Sequence, residues 1–549
     1  MALDTCLFAV QARRAPREEL EARLARLTAW LAPVAVTDAR VRFSDGARTL
    51  WGAIGVRGED APAPAASLVW GEAPADGGYA GSGATLEAHG DGVRLVSGSG
   101  LPRALYRAES AGAIAWSTHA TAAAVLARGA AELDPAAVPA VLAVGAPLGA
   151  DAHLRGVAAC EPGTRVELGP AGARETVALT RAQRWAPVPP ADAQRAAEAA
   201  LLEQMDARLR GEPHVWVALT AGRDSPLVAA ALVRLGKPFA AFTWGEEGWG
   251  DVARARDTAA RLGARHEARG VDWIHDPLTL ERMQAEARWS DGLAPVGAWG
   301  APKWPQPLSA AVTGAGAEIA RAYYYAWCVR SRARPAPRHL AHVLGLHRRL
   351  AGAGDAERAV RARVEAWMAE ALELVQHPWD ALDVFYTEER MGRWGRPRLP
   401  RTRATWIAPF TSAPVASALV SMPLEDRLAM RFHRDLMASV DAGVELPPIA
   451  VQRPGGPPAL RRAVSAVRGL RAGRAAAEPW LLAGVWDGRE RLRAAVEEAL
   501  AAPWLREITG EPWLAAVRAG LRAERRRESE LALAAAGLHA YVRSLDELR

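Results

Sequence analysis

One short segment combines the residue types that phosphate chemistry needs: Thr220-Ala221-Gly222-Arg223-Asp224-Ser225. It follows an apolar run, Val215–Leu219, and leads straight into an apolar helical stretch. Small residues let a backbone come close to an anion. The first amides of a helix have no partners inside it, and the helix dipole favours negative charge at that end. The hydroxyls of Thr220 and Ser225 can donate further hydrogen bonds. Asp224 repels phosphate, so its presence is best explained by a Mg²⁺ ion shared with a polyphosphate. The same residues would also make a plain strand-to-helix turn with a Ser/Asp cap. The segment is neither a Gly-x4-Gly-Lys-Ser/Thr loop nor a Rossmann glycine triplet.

The elements around the segment must hold it rigidly. Helices are expected over Ala191–Leu209, Ser225–Leu235 and Val252–Leu262, and strands over Val215–Leu219 and Phe239–Thr243. Strand, loop, helix, strand, helix implies a parallel sheet with crossover helices. Before residue 185 the chain reads mainly as short strands, among them Leu3–Val10, Leu50–Val56, Ser67–Trp70, Gly92–Val96 and Thr164–Leu168, separated by Gly and Pro clusters. The proline-rich link Trp185–Pro190 marks a domain boundary, giving domains 1–185 and 191–549. Beyond about residue 335 the pattern is helical to the end. Arg518–Leu548 reads as a charged amphipathic tail with one packed face and one solvated face.

The 549 residues suffice for two or three domains, and half of them are hydrophobic. A net charge of +6 is slight for this length. The arginine-rich stretches Arg330–Arg338, Arg461–Arg474 and Arg522–Arg527 have few interleaved aromatics, so solvated helical faces are expected and no nucleic acid. The three cysteines, Cys6, Cys160 and Cys328, have no metal-site spacing. With no signal-peptide core and no transmembrane run, a cytoplasmic protein with no membrane partner is expected. Trp289, Trp299, Trp304 and Trp327, with Tyr323-Tyr-Tyr325, could form core packing or an aromatic wall for a bulky substrate.

The segment resembles the Ser-Gly-Gly-x-Asp-Ser signature of the asparagine synthetase superfamily and other ATP pyrophosphatases. Asp251-Val-Ala-Arg-Ala-Arg256, Leu262-Gly263 and His266 follow in that family's order. Val312-Thr-Gly-Ala-Gly-Ala-Glu318 resembles its second loop, and Ile407-Ala-Pro-Phe410, Ser421-Met-Pro423 and Leu446-Pro447 resemble its later motifs. Leu101–Tyr106, Ile114–Ser117, Leu154–Val157 and Glu161-Pro-Gly163 resemble the later half of the family's amidotransferase domain. The fold implied is an N-terminal Ntn-hydrolase-like sandwich, then an adenine-nucleotide α-hydrolase-like (PP-loop) parallel-sheet domain with a helical C-terminal portion.

The chain departs from the pattern at telling positions. Residue 2 is Ala2, where glutamine-hydrolysing members carry the nucleophilic cysteine, so the first domain is expected to lack glutaminase activity. β-Lactam synthetases and lasso-peptide cyclases are relatives that lack it too. Ala315 stands where the family carries a group that handles the nucleophile's proton, and alanine cannot do so. Tyr386 and Glu389, in Asp383–Arg390, are the replacement candidates, with an ordinary charged helix as the alternative. The family's catalytic lysine is missing from Val451–Gly456, where Arg453 could supply the charge. His433 and Arg434 precede Leu436 where relatives often carry a basic residue; either could line the site, with a surface role the main expectation.

The resemblance implies ATP held with Mg²⁺ by Thr220, Ala221, Gly222, Arg223, Asp224, Ser225, Gly314 and Gly316, with Asp224 and Glu318 as metal ligands. It implies an ATP-dependent carbon–nitrogen ligase that adenylates a carboxylate, releases pyrophosphate, and lets an amine displace AMP. The expected substrate is a small-molecule or peptide carboxylate, a precursor peptide among them, and the expected assemblies include a homodimer. Two alternatives stand beside this: an asparagine synthetase that uses ammonia, and a degenerate member that serves as a scaffold.

Overall fold

The computed structural model describes residues 6–31, 39–43, 48–54, 67–70, 83–89, 92–98, 100, 103–270, 280–294, 305, 307–328, 337–395, 405–441, 443, 490–522 and 526–548. The fold is mixed α/β, with two antiparallel sheets, one parallel sheet and many helices.

The first eleven strands are β1 (Cys6–Ala12), β2 (Ala39–Phe43), β3 (Thr49–Ile54), β4 (Ser67–Trp70), β5 (Ala84–His89), β6 (Gly92–Ser97), β7 (Tyr106–Glu109), β8 (Ala113–Ser117), β9 (Val157–Ala159), β10 (Thr164–Gly169) and β11 (Gly172–Val177). They form a six-stranded sheet, β2-β3-β1-β8-β7-β9, and a five-stranded sheet, β11-β10-β6-β5-β4, both antiparallel. Alternation along β1 explains the layering. Leu7 and Ala9 join Leu86, Val93, Leu95, Val166 and Leu168 between the sheets. Phe8 and Val10 point the other way, into a core shared with the helices Arg17–Leu31 and Ala120–Arg128. The strand-rich expectation for this region holds. These two helices, and a third over Val138–Val144, were not anticipated.

The parallel sheet contains β12 (Val215–Ala218), β13 (Ala240–Trp244), β14 (Arg265–Arg269), β15 (Ala310–Val312) and β16 (Thr405–Ile407) in the order β14-β13-β12-β15-β16. Val215, Trp216 and Val217 are buried, as a central parallel strand covered on both faces requires. The helix Ser225–Arg234 carries the chain from β12 to β13, and Gly250–Arg261 carries it on to β14. The chain then returns to pair β15 on the other side of β12. A crevice opens at such a reversal, outside the carboxyl ends of the strands.

The helical remainder closes against both halves. Helix Pro190–Arg208 packs on Ala413–Val420, and Asp355–Leu374 packs on Asp380–Phe385. The last helix, Arg526–Leu545, has the packed face expected of it, with Leu538 and Tyr541 fully buried. The Trp30 indole donates to the Ser544 carbonyl (2.8 Å), which fixes this helix to the first region of the chain. No helix among the described residues is long and apolar enough to cross a membrane.

Candidate functional site

The loops after β12 and β15 meet at the reversal of strand order. Thr220–Ser225 leaves β12 and enters its helix at Ser225. The Ser225 hydroxyl accepts from the Thr220 amide (3.0 Å) and lies 3.0 Å from the Thr220 hydroxyl. The Gly222 amide donates to Thr220 Oγ1 (3.1 Å), and the Ala221 amide donates to Asp251. Thr220 and Gly222 are exposed, so the loop opens to solvent. The turn is therefore built by its own hydroxyls, with its small residues at the mouth.

Gly314 presses directly on this loop. A Cβ at Gly314 would lie 2.4 Å from the Asp224 carbonyl carbon and oxygen and 2.5 Å from the Ser225 nitrogen. Only glycine allows that approach. Gly316 has a left-handed φ of 93°, which glycine adopts without strain. Its amide donates to Glu318 Oε2 (3.0 Å), so the second loop aims its own carboxylate. The two loops picked out in the sequence are thus one site.

Asp224 is the electrostatic centre. Arg321 grips it bidentately, Nε to Oδ1 at 3.1 Å and Nη2 to Oδ2 at 2.9 Å, and His433 Nε2 donates to Oδ1 at 3.1 Å. Burial alone would raise this carboxyl, but the His433 and Arg321 hydrogen bonds more than offset it and hold it at about 2. Glu318 behaves oppositely: burial, then the charge of Asp224, push it up to about 7. The Tyr386 hydroxyl hydrogen-bonds Glu318 and partly opposes that rise. Tyr386 is buried, and its ring packs edge-on to Tyr324 (5.3 Å) and Tyr323 (6.0 Å).

The expected residues divide clearly. Thr220, Ala221, Gly222, Arg223, Asp224, Ser225, Gly314, Gly316, Glu318 and Tyr386 belong to one neighbourhood. Glu389 does not join them. Its carboxylate accepts from the Trp367 indole (3.0 Å) and from the Gly149 amide (3.2 Å), so it ties the first region to the helical part. The reason is local geometry: Tyr386–Gly395 continues the helix Asp380–Phe385 with a wider π turn, and the two side chains leave it in different directions. Arg453 lies outside the described residues, as do Ala2, Trp299 and Trp304. Cys6 is a buried strand residue beside Ser117 (3.3 Å), and burial pushes its thiol up to about 12, which suits packing and not nucleophilic attack.

One site residue, Arg321, escaped sequence reasoning, and a second, His433, was given a place at the site only as the lesser expectation. His433, expected mainly at the surface, is fully buried on Asp224, while Arg434 is exposed. Arg321 follows Glu318 by three positions, and that spacing in a short helical turn was the one available clue. Among the described residues no cluster of three or more His, Cys, Asp or Glu side chains forms a ready-made metal cage. Mg²⁺ needs none, since it takes one or two carboxylates plus phosphate oxygens, and Asp224 with Glu318 fits that donor set. No protein-family model matches this chain, and no curated protein matches it.

Proposed function

We infer that the chain is an ATP-dependent amide-forming ligase that splits ATP to AMP and pyrophosphate. The observation that carries this reading is the contact of Gly314 with Asp224 and Ser225, which joins two anion-suited loops at the reversal of a parallel sheet. In this reading the first region is a degenerate Ntn-like sandwich and the parallel sheet is a PP-loop domain of the asparagine synthetase type.

ATP would lie with its phosphates over Thr220–Ser225, where loop amides, hydroxyls and the helix N-terminus offer donors. A substrate carboxylate oxygen attacks the α-phosphorus, the bond to the bridging oxygen breaks, and pyrophosphate leaves. An amine then attacks the acyl carbon, AMP departs with the C–O bond electrons, and the amine loses a proton. A Mg²⁺ ion held by Asp224 and Glu318 would neutralise charge on the phosphates. Before nucleotide binds, His433 and Arg321 hold the Asp224 carboxyl well below the usual carboxylate range, so it meets the site ionised. Tyr386, hydrogen-bonded to Glu318, is the group at hand to relay the amine's proton in place of the side chain absent at Ala315. Tyr323 and Tyr324, both half-buried beside Tyr386, offer an aromatic surface that would suit a peptide-like or bulky carboxylate.

The test is product analysis by mass spectrometry with ATP, Mg²⁺ and panels of amino-carboxylates and short peptides. AMP and pyrophosphate in equal amounts, dependent on the carboxylate and lost in Asp224→Ala, support the reading. Release of ADP and phosphate refutes it. Asparagine formed from aspartate and ammonia would replace the specialised ligase with an asparagine synthetase.

A further inference from the structure

The Arg321–Asp224 pair poses a problem for metal binding that has a specific solution. Both Asp224 carboxylate oxygens accept from the Arg321 guanidinium, and Oδ1 also accepts from His433. A divalent cation bound to Asp224 needs at least one of those oxygens. Oδ2 keeps a lone pair that could reach a cation, but the guanidinium and the cation would then place two positive charges on one carboxylate and repel each other. The Arg321 Cζ lies 4.8 Å over the Tyr323 ring, so an aromatic face supports it next to Asp224. It is on the short helical turn Ala317–Arg321, which ends at Ala322 in the left-handed region (φ 46°). The loop that it faces presents the Thr220 hydroxyl and the small residues Ala221 and Gly222. The fork of a guanidinium matches phosphate oxygens as well as it matches a carboxylate.

We propose that Arg321 is a transferable cation. It clamps Asp224 until polyphosphate enters the loop, then passes to the phosphate oxygens and so releases Asp224 to a divalent cation. Metal and nucleotide then bind as a cooperative pair, each weak without the other. This proposal rests on the nucleotide reading given above and adds to it a residue and an order of events. His433 keeps one hydrogen bond on Asp224 throughout, which orients the carboxylate while its partner changes.

The experiment uses the full chain, Mn²⁺ followed by electron paramagnetic resonance, and the analogue α,β-methylene-ATP, which resists cleavage between the α- and β-phosphates. The wild type should bind Mn²⁺ tightly only with the analogue present. Arg321→Ala should gain Mn²⁺ affinity without nucleotide and lose analogue affinity, each by about tenfold or more, the scale of one charge-assisted hydrogen bond. Arg321→Lys keeps the charge without the fork and should fall between the two. Circular dichroism checks that each variant is folded, and Arg321→Lys carries the test if Arg321→Ala is not. Unchanged Mn²⁺ and analogue affinities in a folded variant overturn the role of Arg321, provided that the wild type binds the analogue. Failure of the wild type to bind the analogue with Mn²⁺ overturns the nucleotide reading, and this inference with it.

Discussion

Substituting alanine at Gly314 should damage the site with a single methyl group. That Cβ would sit 2.4 Å from the carbonyl carbon and oxygen of Asp224. Ordinary carbon contacts begin near 3.4 Å, so the shortfall is about 1 Å, and three of the nearest atoms are backbone that cannot rotate away. The two loops must separate by that amount. Overpacking of this kind costs about 1–3 kcal/mol of stability. A misplacement of about 1 Å at a reacting centre costs on the order of 10²-fold in rate. Gly314→Ala should therefore lower the melting temperature by several degrees in differential scanning calorimetry, and weaken binding of a non-hydrolysable ATP analogue in titration calorimetry. Gly169→Ala is the control, because a Cβ there meets nothing within 4 Å, and it should melt within about 0.5 kcal/mol of the wild type. A Gly314→Ala protein with wild-type melting and wild-type analogue affinity would refute the contact between the loops.

Other expectations concern buried charges. Asp383 is buried against Arg427 (2.7 Å), and burial pushes its carboxyl up to about 7. Because its folded pKa lies above the unfolded value of 3.8, ionising it costs stability, and that cost grows from about pH 4 to about pH 7, reaching a few kcal/mol. Asp383→Asn should flatten the fall in melting temperature across that range, and an unchanged profile would contradict the assignment. Asp224 has the opposite sign. Its depressed pKa gives stability above about pH 4 that disappears as pH falls toward about 2, so Asp224→Asn should lose stability at pH 6 and differ little from the wild type in strong acid. Glu389→Ala strands the Trp367 and Gly149 donors and should cost about 1–3 kcal/mol. Glu389→Gln, which can accept from both, should keep turnover and melting close to wild type. Loss of turnover with melting intact would return Glu389 to the reaction.

Local patterns were legible in the sequence, and long-range pairings were not. The strands at Val215 and Phe239 and the helix at Ser225 were read nearly to their ends, because apolar runs broken by glycine and polar turns carry that information locally. The first loop was read from residue type and order, the second from its resemblance to a family motif. The edge strand Arg265–Arg269 was missed because Arg-His-Glu-Ala-Arg has neither apolar content nor clean alternation. The helix Arg17–Leu31 was missed although Leu20, Leu24, Leu27 and Leu31 hold helical spacing, since the surrounding glycine and proline pointed to strands and turns. Arg321 lies 97 residues from Asp224 and His433 lies 209 away. No local rule joins such positions: the pairing of two strands brings Arg321 to Asp224, and the packing of helix Arg431–Ala438 on helix Ser225–Arg234 brings His433. Glu389 was misread for a related reason: a charged residue three places from Tyr386 shares its helix face only if the turn is α, and here it is π.

The central claim is that the loop Thr220–Ser225, backed by Gly314 and centred on Asp224, binds the phosphates of ATP with Mg²⁺. Titration calorimetry with α,β-methylene-ATP tests it most directly, on the wild type and on Asp224→Ala. Saturable binding at one site per chain, dependent on Mg²⁺ and lost in a folded Asp224→Ala protein, is the predicted result. No binding to the wild type, or equal binding to the variant, would contradict it.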